Sequence, residues 1–285
     1  MDWAEVISKA GTYLDAKGVE NGRLAAELVA ARLLGTGRGF LHPRLAEEVP
    51  APKLEAVRRA LRRLAAGEPV QYVLGEWDFR SLTLKCDSRA LIPRPETEEL
   101  VTRVLARLSS LACARPVVVD VGTGTGAIIL SIASEFAGEG VFIGTDVSED
   151  ALALAKENAA ALSLSDRVRF VAMDGLDEFD EPETFDLIVS NPPYIESAAC
   201  ETLEPGVRDF EPRIALDGGA DGLDFYRRYL ADALNLLKSG GMVLFETGEG
   251  QGGAVRSLME DFGFSQVKIE KDFSGKDRYA SAVLP

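Results

Sequence analysis

The sequence predicts an α/β chain: a mostly parallel sheet with helices on both faces and a C-terminal antiparallel hairpin, preceded by a small helical bundle. Three observations predict it. From Val117 onward, apolar strand-like runs alternate with helical ones, a rhythm that calls for parallel strands joined by crossover helices. Three glycines, Gly122, Gly124 and Gly126, stand between the first of those runs and the helix that follows. The first 65 or so residues are different: Ala, Leu and Arg recur there at helical spacing,.

In the N-terminal part, Val6, Ala10, Tyr13 and Leu14 form one helical stripe, and Leu24, Leu28, Ala31 and Leu34 form another. Gly35–Gly39 breaks the pattern. A third helix is expected near Pro52 to Ala66, with Leu54, Val57, Leu61 and Leu64 on one face and Gly67 at its C-terminal cap,. Alternating apolar residues around Gly75 and around Arg80-Ser81, within Val70–Leu84, predict a short hairpin between two domains,. Thr97, or a residue just before it, starts a helix to about Leu108.

The α/β rhythm then runs in order. Strands are expected at Val117–Val121, Val141–Thr145, Val168–Ala172, Phe185–Val189 and Met242–Glu246. Helices are expected at Ala127–Phe136, Glu149–Ala161, Asp224–Leu237 and Ala254–Asp261. Val267–Glu270 and Tyr279–Val283 close the sheet as a hairpin. The expected organisation is a helical domain over 1–68, a hairpin linker over 69–88 and the main α/β domain over 89–285.

Bulk properties exclude several classes. No apolar run approaches the roughly 20 residues of a membrane span, and the acidic start Met1-Asp2-Trp3-Ala4-Glu5 is unlike a secretory signal,. Three scattered cysteines, Cys86, Cys113 and Cys200, show neither disulfide nor metal spacing, which points to a reducing, cytoplasmic setting,. His42, the only histidine, stands in a turn-like Leu-His-Pro, so a histidine-based triad has no other candidate. The net charge is −15; residues 1–85 carry +2 and residues 86–285 carry −17. An acidic body repels phosphate backbones, so direct nucleic-acid binding is not expected, whereas a basic protein partner is welcome. Arg58, Arg59, Arg62 and Arg63 are read as a solvated helix face,.

The candidate site lies at successive strand ends. Gly122-Thr123-Gly124-Thr125-Gly126 leaves a strand and enters a helix, where backbone without Cβ atoms can approach a ligand,. Gly122, Gly124 and Ala127 also fit G-x-G-x-x-[GA], so the loop alone does not choose between a dinucleotide and S-adenosylmethionine. Asp146 ends the second strand, where a carboxylate can accept both ribose hydroxyls or cap the next helix; Ser148 can cap instead,. Asp174 ends the third strand, where it can accept from an adenine amino group with the Gly175 backbone close to the ring. The fourth strand ends in Asn191-Pro192-Pro193-Tyr194. That set suits a planar NH2 group: the Asn191 oxygen and a proline carbonyl accept its two hydrogens, and Tyr194 covers its face. A nicotinamide enzyme needs an acid/base partner that this chain does not evidently supply.

With these strings in place, the chain resembles the class I S-adenosylmethionine-dependent methyltransferases, with a Rossmann-like sheet. It is most similar to the HemK/PrmC family, the protein-(glutamine-N5) methyltransferases of bacterial peptide chain release factors. The likeness covers nearly the whole chain. It includes Gly67–Gly75, Leu91–Glu98, the glycine loop, Asn191–Tyr194, Glu211–Gly219 and Asp272–Arg278. It implies that Gly122 to Gly126 and Asp146 hold S-adenosyl-L-methionine, with S-adenosyl-L-homocysteine as product. It also implies that Asn191 touches cofactor and substrate while Pro192, Pro193 and Tyr194 hold a glutamine. The glutamine implied is that of the release factor's Gly-Gly-Gln (GGQ) motif, and the N-terminal helices resemble the family's substrate-recognition domain. One departure is Gly175, a position where the family often has a bulky aromatic.

The chemistry implied is methyl transfer to an amide nitrogen, with Asn191, Pro192 and Tyr194 as catalytic residues and with no metal and no covalent intermediate. Two other classes remain open at this point: an N-methyltransferase acting on an exocyclic amine of DNA or RNA, and a non-catalytic S-adenosylmethionine-binding module on a translation factor.

Overall fold

The computed structural model describes residues 1–111 and 113–285. In chain order its elements are α1 (Trp3–Ala16), α2 (Gly22–Leu34), α3 (Ala51–Ala65), α4 (Val70–Leu74), β1 (Glu76–Phe79), β2 (Leu82–Lys85), α5 (Pro95–Ser110), β3 (Val117–Val121), α6 (Ala127–Glu135), β4 (Val141–Asp146), α7 (Glu149–Ala161), β5 (Val168–Ala172), β6 (Phe185–Ser190), α8 (Ser197–Cys200), α9 (Pro205–Arg208), α10 (Asp224–Leu236), β7 (Leu237–Glu246), α11 (Gly252–Asp261), β8 (Ser265–Lys271) and β9 (Asp277–Val283). They fall into two compact units, Met1–Trp77 with Glu204–Phe210, and Asp78–Leu203 with Glu211–Pro285.

The first unit is helical. Asp2 caps α1 by accepting the Glu5 N–H at 2.8 Å,. Trp3, Val6, Ile7, Ala10 and Leu14 of α1 meet Ala26, Val29 and Ala30 of α2 and Val57 and Leu64 of α3 in one buried core. The spacing is that of amphipathic helices. The expected hairpin is corrected here. Val70–Leu74, the start of the alternating run that extends to Phe79, is α4. Five residues fit both periods, since Val70, Tyr72 and Leu74 alternate while Val70, Val73 and Leu74 follow helical spacing. The bundle decides, because Val70, Val73 and Leu74 pack on its core. The hairpin proper is the shorter pair β1–β2.

The second unit holds a seven-stranded sheet in the order β5-β4-β3-β6-β7-β9-β8. The first five strands are parallel, and β9 runs antiparallel to both β7 and β8. Both faces are buried. Val118, Leu187, Val189 and Leu244 point to Leu100 and Val104 of α5 and Ile128 and Ile132 of α6. Their neighbours Val119, Ile188, Val243 and Phe245 point to Tyr226 and Leu230 of α10 and Val255 and Met259 of α11. This burial on both faces explains why the central strands read as mostly apolar runs rather than as strict alternation.

Element ends differ from expectation by small amounts with physical causes. Helix α5 starts at Pro95, whose missing N–H costs nothing at a first helical position,. Strand β7 starts at Leu237 rather than Met242, because its pairing with β6 shifts register between Phe185 and Leu187 and absorbs Lys238–Gly241 as an irregularity. Among the described residues no helix is long and apolar enough to cross a membrane. Strand β3 pairs with β4 on one side and β6 on the other. The topology therefore reverses at β3, which opens a crevice past the carboxyl ends of these strands.

Candidate active site

The glycine loop leaves β3 and folds back against β4. The Gly122 and Thr123 N–H groups both donate to the Thr145 carbonyl, at 2.9 and 2.8 Å. Gly126 has φ +82°, and a Cβ there would stand 2.9 Å from Leu130 Cδ1 and 3.3 Å from Ala155 Cβ. Glycine is thus required twice, by a left-handed backbone and by close packing on α6 and α7. Asn158 of α7 braces the loop by donating to the Thr125 carbonyl at 2.9 Å.

Under the loop lies Asp120, with no exposed surface. Thr123 Oγ1 donates to its Oδ2 at 2.6 Å, while Oδ1 has no hydrogen-bond partner among the described residues. Burial pushes this carboxyl up to about 7 against the pull of Thr123,.

Asp146 stands at the end of β4. Its Oδ2 accepts the Gly124 N–H and its Oδ1 accepts the Ser148 N–H, each at 2.9 Å. Burial raises its pKa; those backbone donors oppose the rise. Ser148, not Asp146, caps α7, accepting the Ala151 N–H at 3.2 Å. Two carboxylate oxygens have about four acceptor sites, so Asp146 keeps capacity toward the cleft that it lines.

At the end of β5 the arrangement is tighter than the sequence implied. Asp174 Oδ1 is paired with Arg228 Nη1 at 2.7 Å, and Arg228 Nη2 reaches Asp177 at 2.9 Å and the Asp174 carbonyl. The carboxylate expected to await an adenine amino group is therefore engaged by a guanidinium. Gly175 has φ +69°, and a Cβ there would lie 3.2 Å from Tyr229 Cε1 and 3.4 Å from Arg228 Cζ. Two α10 side chains thus fill the space where a larger residue 175 would begin.

At the end of β6, Ser190 Oγ donates to the Val121 carbonyl at 2.6 Å and ties the clamp segment to β3. Asn191 Nδ2 donates to Thr97 Oγ1 at 3.2 Å, and Thr97 Oγ1 donates to Glu246 Oε2 at 2.7 Å. The Tyr194 carbonyl accepts Gln251 Nε2 at 2.8 Å, and burial pushes the Tyr194 phenol up to about 12. Gly218 lies so close that a Cβ on it would stand 2.7 Å from the Pro193 carbonyl oxygen.

These strand ends open on one cleft of about 290 Å³. Gly122, Gly124, Asp146, Asp174, Gly175, Asn191 and Pro193 all line it. The acceptor at the β4 end, the exposed loop backbone and the apolar wall fit a nucleoside-bearing cofactor.

The methyltransferase domain family matches residues 115–277, and the PrmC N-terminal domain family matches residues 5–75. The chain is 40% identical over 279 residues to the release factor glutamine methyltransferase of Moorella thermoacetica, covering 98% of this chain and 97% of the relative. It is 39% identical over 277 residues to the protein of the same name from Geobacter sulfurreducens, covering 96% and 94%. The chain belongs to the release factor glutamine methyltransferase family. Its fold is that of the class I methyltransferases. A methyltransferase structure from Pyrococcus furiosus shares that fold with TM-score 0.52 and 19% identity, over 71% of this chain and 89% of the other.

Within this family member, not every residue named from sequence reaches the cleft. Thr123 and Thr125 are buried behind the loop, Gly126 faces α6 and α7, and Pro192 is buried. The Tyr194 ring turns toward Gly248, where a Cβ would lie 3.0 Å from Tyr194 Cδ2, and does not line the cleft. Sequence reasoning missed Phe225, Arg228 and Tyr229 of α10, the Arg89–Leu91 segment, and Pro212, Ile214 and Ala215. The last two groups lie in or beside strings already singled out, Leu91–Glu98 and Glu211–Gly219, so their signal was present.

Proposed function

We propose that this chain transfers the methyl group of S-adenosyl-L-methionine to the side-chain amide N5 of the glutamine in the GGQ motif of a peptide chain release factor. The observation that carries the reading is the placement of Asn191 in the same cleft as Gly122, Gly124 and Asp146. Relatives named for this activity over nearly the full length support the substrate class.

Asp146 holds the ribose hydroxyls, and Gly122 and Gly124 bring backbone against the nucleoside. Gly175 borders the adenine end, with Asp174 acting there together with Arg228. When bound, the cofactor supplies an electrophilic methyl group on a sulfonium sulfur. An amide nitrogen is a poor nucleophile because its lone pair is delocalised into the carbonyl. The Asn191 oxygen and the backbone carbonyl of Pro192, whose ring is buried behind the cleft wall, accept the two amide hydrogens, which turns the lone pair into the cleft and favours pyramidalisation. Pro193, which lines the cleft beside Asn191, frames the glutamine side chain, and Tyr194 supports the segment from behind, its carbonyl accepting from Gln251 Nε2. Orienting both reactants contributes about 7–11 kcal/mol, and the same acceptors stabilise positive charge growing on nitrogen. The Tyr194 phenol keeps its proton, so the nitrogen's proton leaves to solvent. On this reading the reaction is cytoplasmic, in keeping with the scattered cysteines Cys86, Cys113 and Cys200,.

The test is mass spectrometry of a purified release factor incubated with this protein and the cofactor. One added methyl group on the GGQ glutamine is expected. Asn191→Ala is expected to keep fold and cofactor affinity and to lose about 10²–10³ in rate. No methyl group on any release factor, or near-normal turnover by the variant, would overturn the reading. Methyl transfer to an RNA or DNA amine instead would reassign the substrate.

A further inference from the structure

We infer that Thr97 and Glu246 are positioning residues that lock the side-chain amide of Asn191 with its oxygen toward the cleft. The inference rests on the clamp reading of Asn191 and adds the two groups behind it.

The geometry is a three-member chain of hydrogen bonds from three separate elements. Glu246 ends β7 and is 1% exposed; Thr97 stands in the first turn of α5 and is 4% exposed. Thr97 Oγ1 lies 2.7 Å from Glu246 Oε2 and 3.2 Å from Asn191 Nδ2. An ionised carboxylate only accepts, and a hydroxyl has one hydrogen. Glu246 therefore takes the Thr97 hydrogen, and Thr97 can only accept from Asn191. The group facing Thr97 must be the Asn191 NH2, so its oxygen faces the other way. An asparagine amide has no intrinsic preference between its two flips, and the wrong flip would set NH2 against NH2 of the carboxamide.

One proton reverses the chain. A neutral Glu246 can donate to Thr97, the Thr97 hydrogen is then free to point at Asn191, and the amide turns over. The charged and titratable groups around Glu246 come from every element that packs there. Arg94 and Glu96 come from the start of α5, Tyr194 from the clamp, Tyr226 from α10, and Arg278 and Tyr279 from β9. The Tyr226 hydroxyl donates to the Glu246 backbone carbonyl at 2.8 Å, which fixes the strand end itself. Burial pushes the Glu246 carboxyl up to about 7, with Thr97 and Arg278 opposing. Both orientations are thus accessible near neutral pH.

The experiment compares Thr97→Val, Thr97→Ser and Glu246→Gln with the unaltered protein. Thr97→Val keeps the shape and deletes the hydroxyl; it should lower kcat by about 10²-fold with cofactor affinity unchanged by calorimetry. Thr97→Ser should restore most of the rate. In the unaltered protein kcat should fall as pH drops through the Glu246 pKa, and Glu246→Gln should remove that acid limb. A readout without substrate separates this inference from the proposed reaction: the Asn191 side-chain amide resonances should shift with pH in the unaltered protein and stay fixed in Glu246→Gln. Resonances that ignore pH, or a Thr97→Val protein with normal kcat, would overturn the relay. Moving resonances in a protein that methylates no glutamine would leave the relay standing and sink the reaction.

Discussion

The Ile92 N–H donates to Glu211 Oε2 at 3.1 Å, joining two segments 119 residues apart. The other oxygen of Glu211 takes Arg94 Nη2, and the carboxylate is only 4% exposed. The bond gives a shared cause to two strings that looked unrelated in sequence, Leu91–Glu98 and Glu211–Gly219. It seats Leu91 on one side of the cleft and Pro212, Ile214 and Ala215 on another.

Removing that carboxylate leaves a backbone N–H and a guanidinium without their acceptor. Glu211→Ala is expected to cost about 2 kcal/mol, the lower end for a buried pair because Arg94 is one-third exposed. The cofactor KM should rise with it, since the cleft wall loses its tie. Thermal unfolding and steady-state kinetics check both; an unchanged Tm would show that water replaces the carboxylate at no cost.

Asp146 is expected to govern cofactor affinity more than stability. Its acceptors hold Gly124 and Ser148 while lining the cleft. Asp146→Asn keeps the size but replaces one acceptor oxygen with a donor. Calorimetry should show S-adenosylmethionine bound about 10- to 100-fold more weakly, equivalent to about 1.4–2.8 kcal/mol, with Tm within a few degrees. Equal affinity in the variant would remove the ribose role.

The sheet was legible because burial on both faces leaves a periodic record. Val118 and Val119 go to opposite cores, so the central strands are mostly apolar on both faces, and the strand ends are marked by Gly122, Asp146 and Asn191. The bundle was legible for the same reason at helical period. What failed was local or remote. Val70–Leu74 is too short to carry a period, and only its packing partners make it a helix. The engagement of Asp174 depends on Arg228, 54 residues later. Nothing near Asp174 announces it. The α10 wall was hidden because Tyr226, Tyr229 and Leu230 already satisfy a core stripe, so their half-buried neighbours Phe225 and Arg228 drew no attention. The Asn191–Thr97–Glu246 chain escaped because each member reads as an ordinary residue of its own segment.

Asn158 couples stability to the loop. Its Oδ1 accepts the Lys85 N–H at 2.7 Å, and its Nδ2 donates to the carbonyls of Lys85 and Thr125, at 3.2 and 2.9 Å. It is 2% exposed. Asn158→Ala deprives three backbone groups at once and is expected to cost about 3 kcal/mol. Asn158→Asp supplies the acceptor but not the donors. It should still lose the Thr125 tie and weaken cofactor binding, which separates bracing of the loop from simple packing. Normal cofactor affinity in Asn158→Asp would show that the loop holds itself.

Asp120 should make stability fall as pH rises. Its carboxyl is raised to about 7 in the folded chain, first by burial and further by the Asp146 charge, whereas an unfolded aspartate titrates near ~3.9. Between those values the folded state binds the proton and the unfolded state does not. The stabilisation is complete below the unfolded value and is lost as pH climbs through the folded one. Asp120→Asn cannot ionise and has no such loss. The difference in Tm between Asp120→Asn and the unaltered protein should therefore grow in favour of the variant from pH 5 to about pH 7 and stay level above it. Glu246, raised in the same direction, contributes to both proteins and cancels in the difference. A difference that does not change with pH would mean that water reaches Asp120 in the folded protein and that the unpartnered Oδ1 is hydrated.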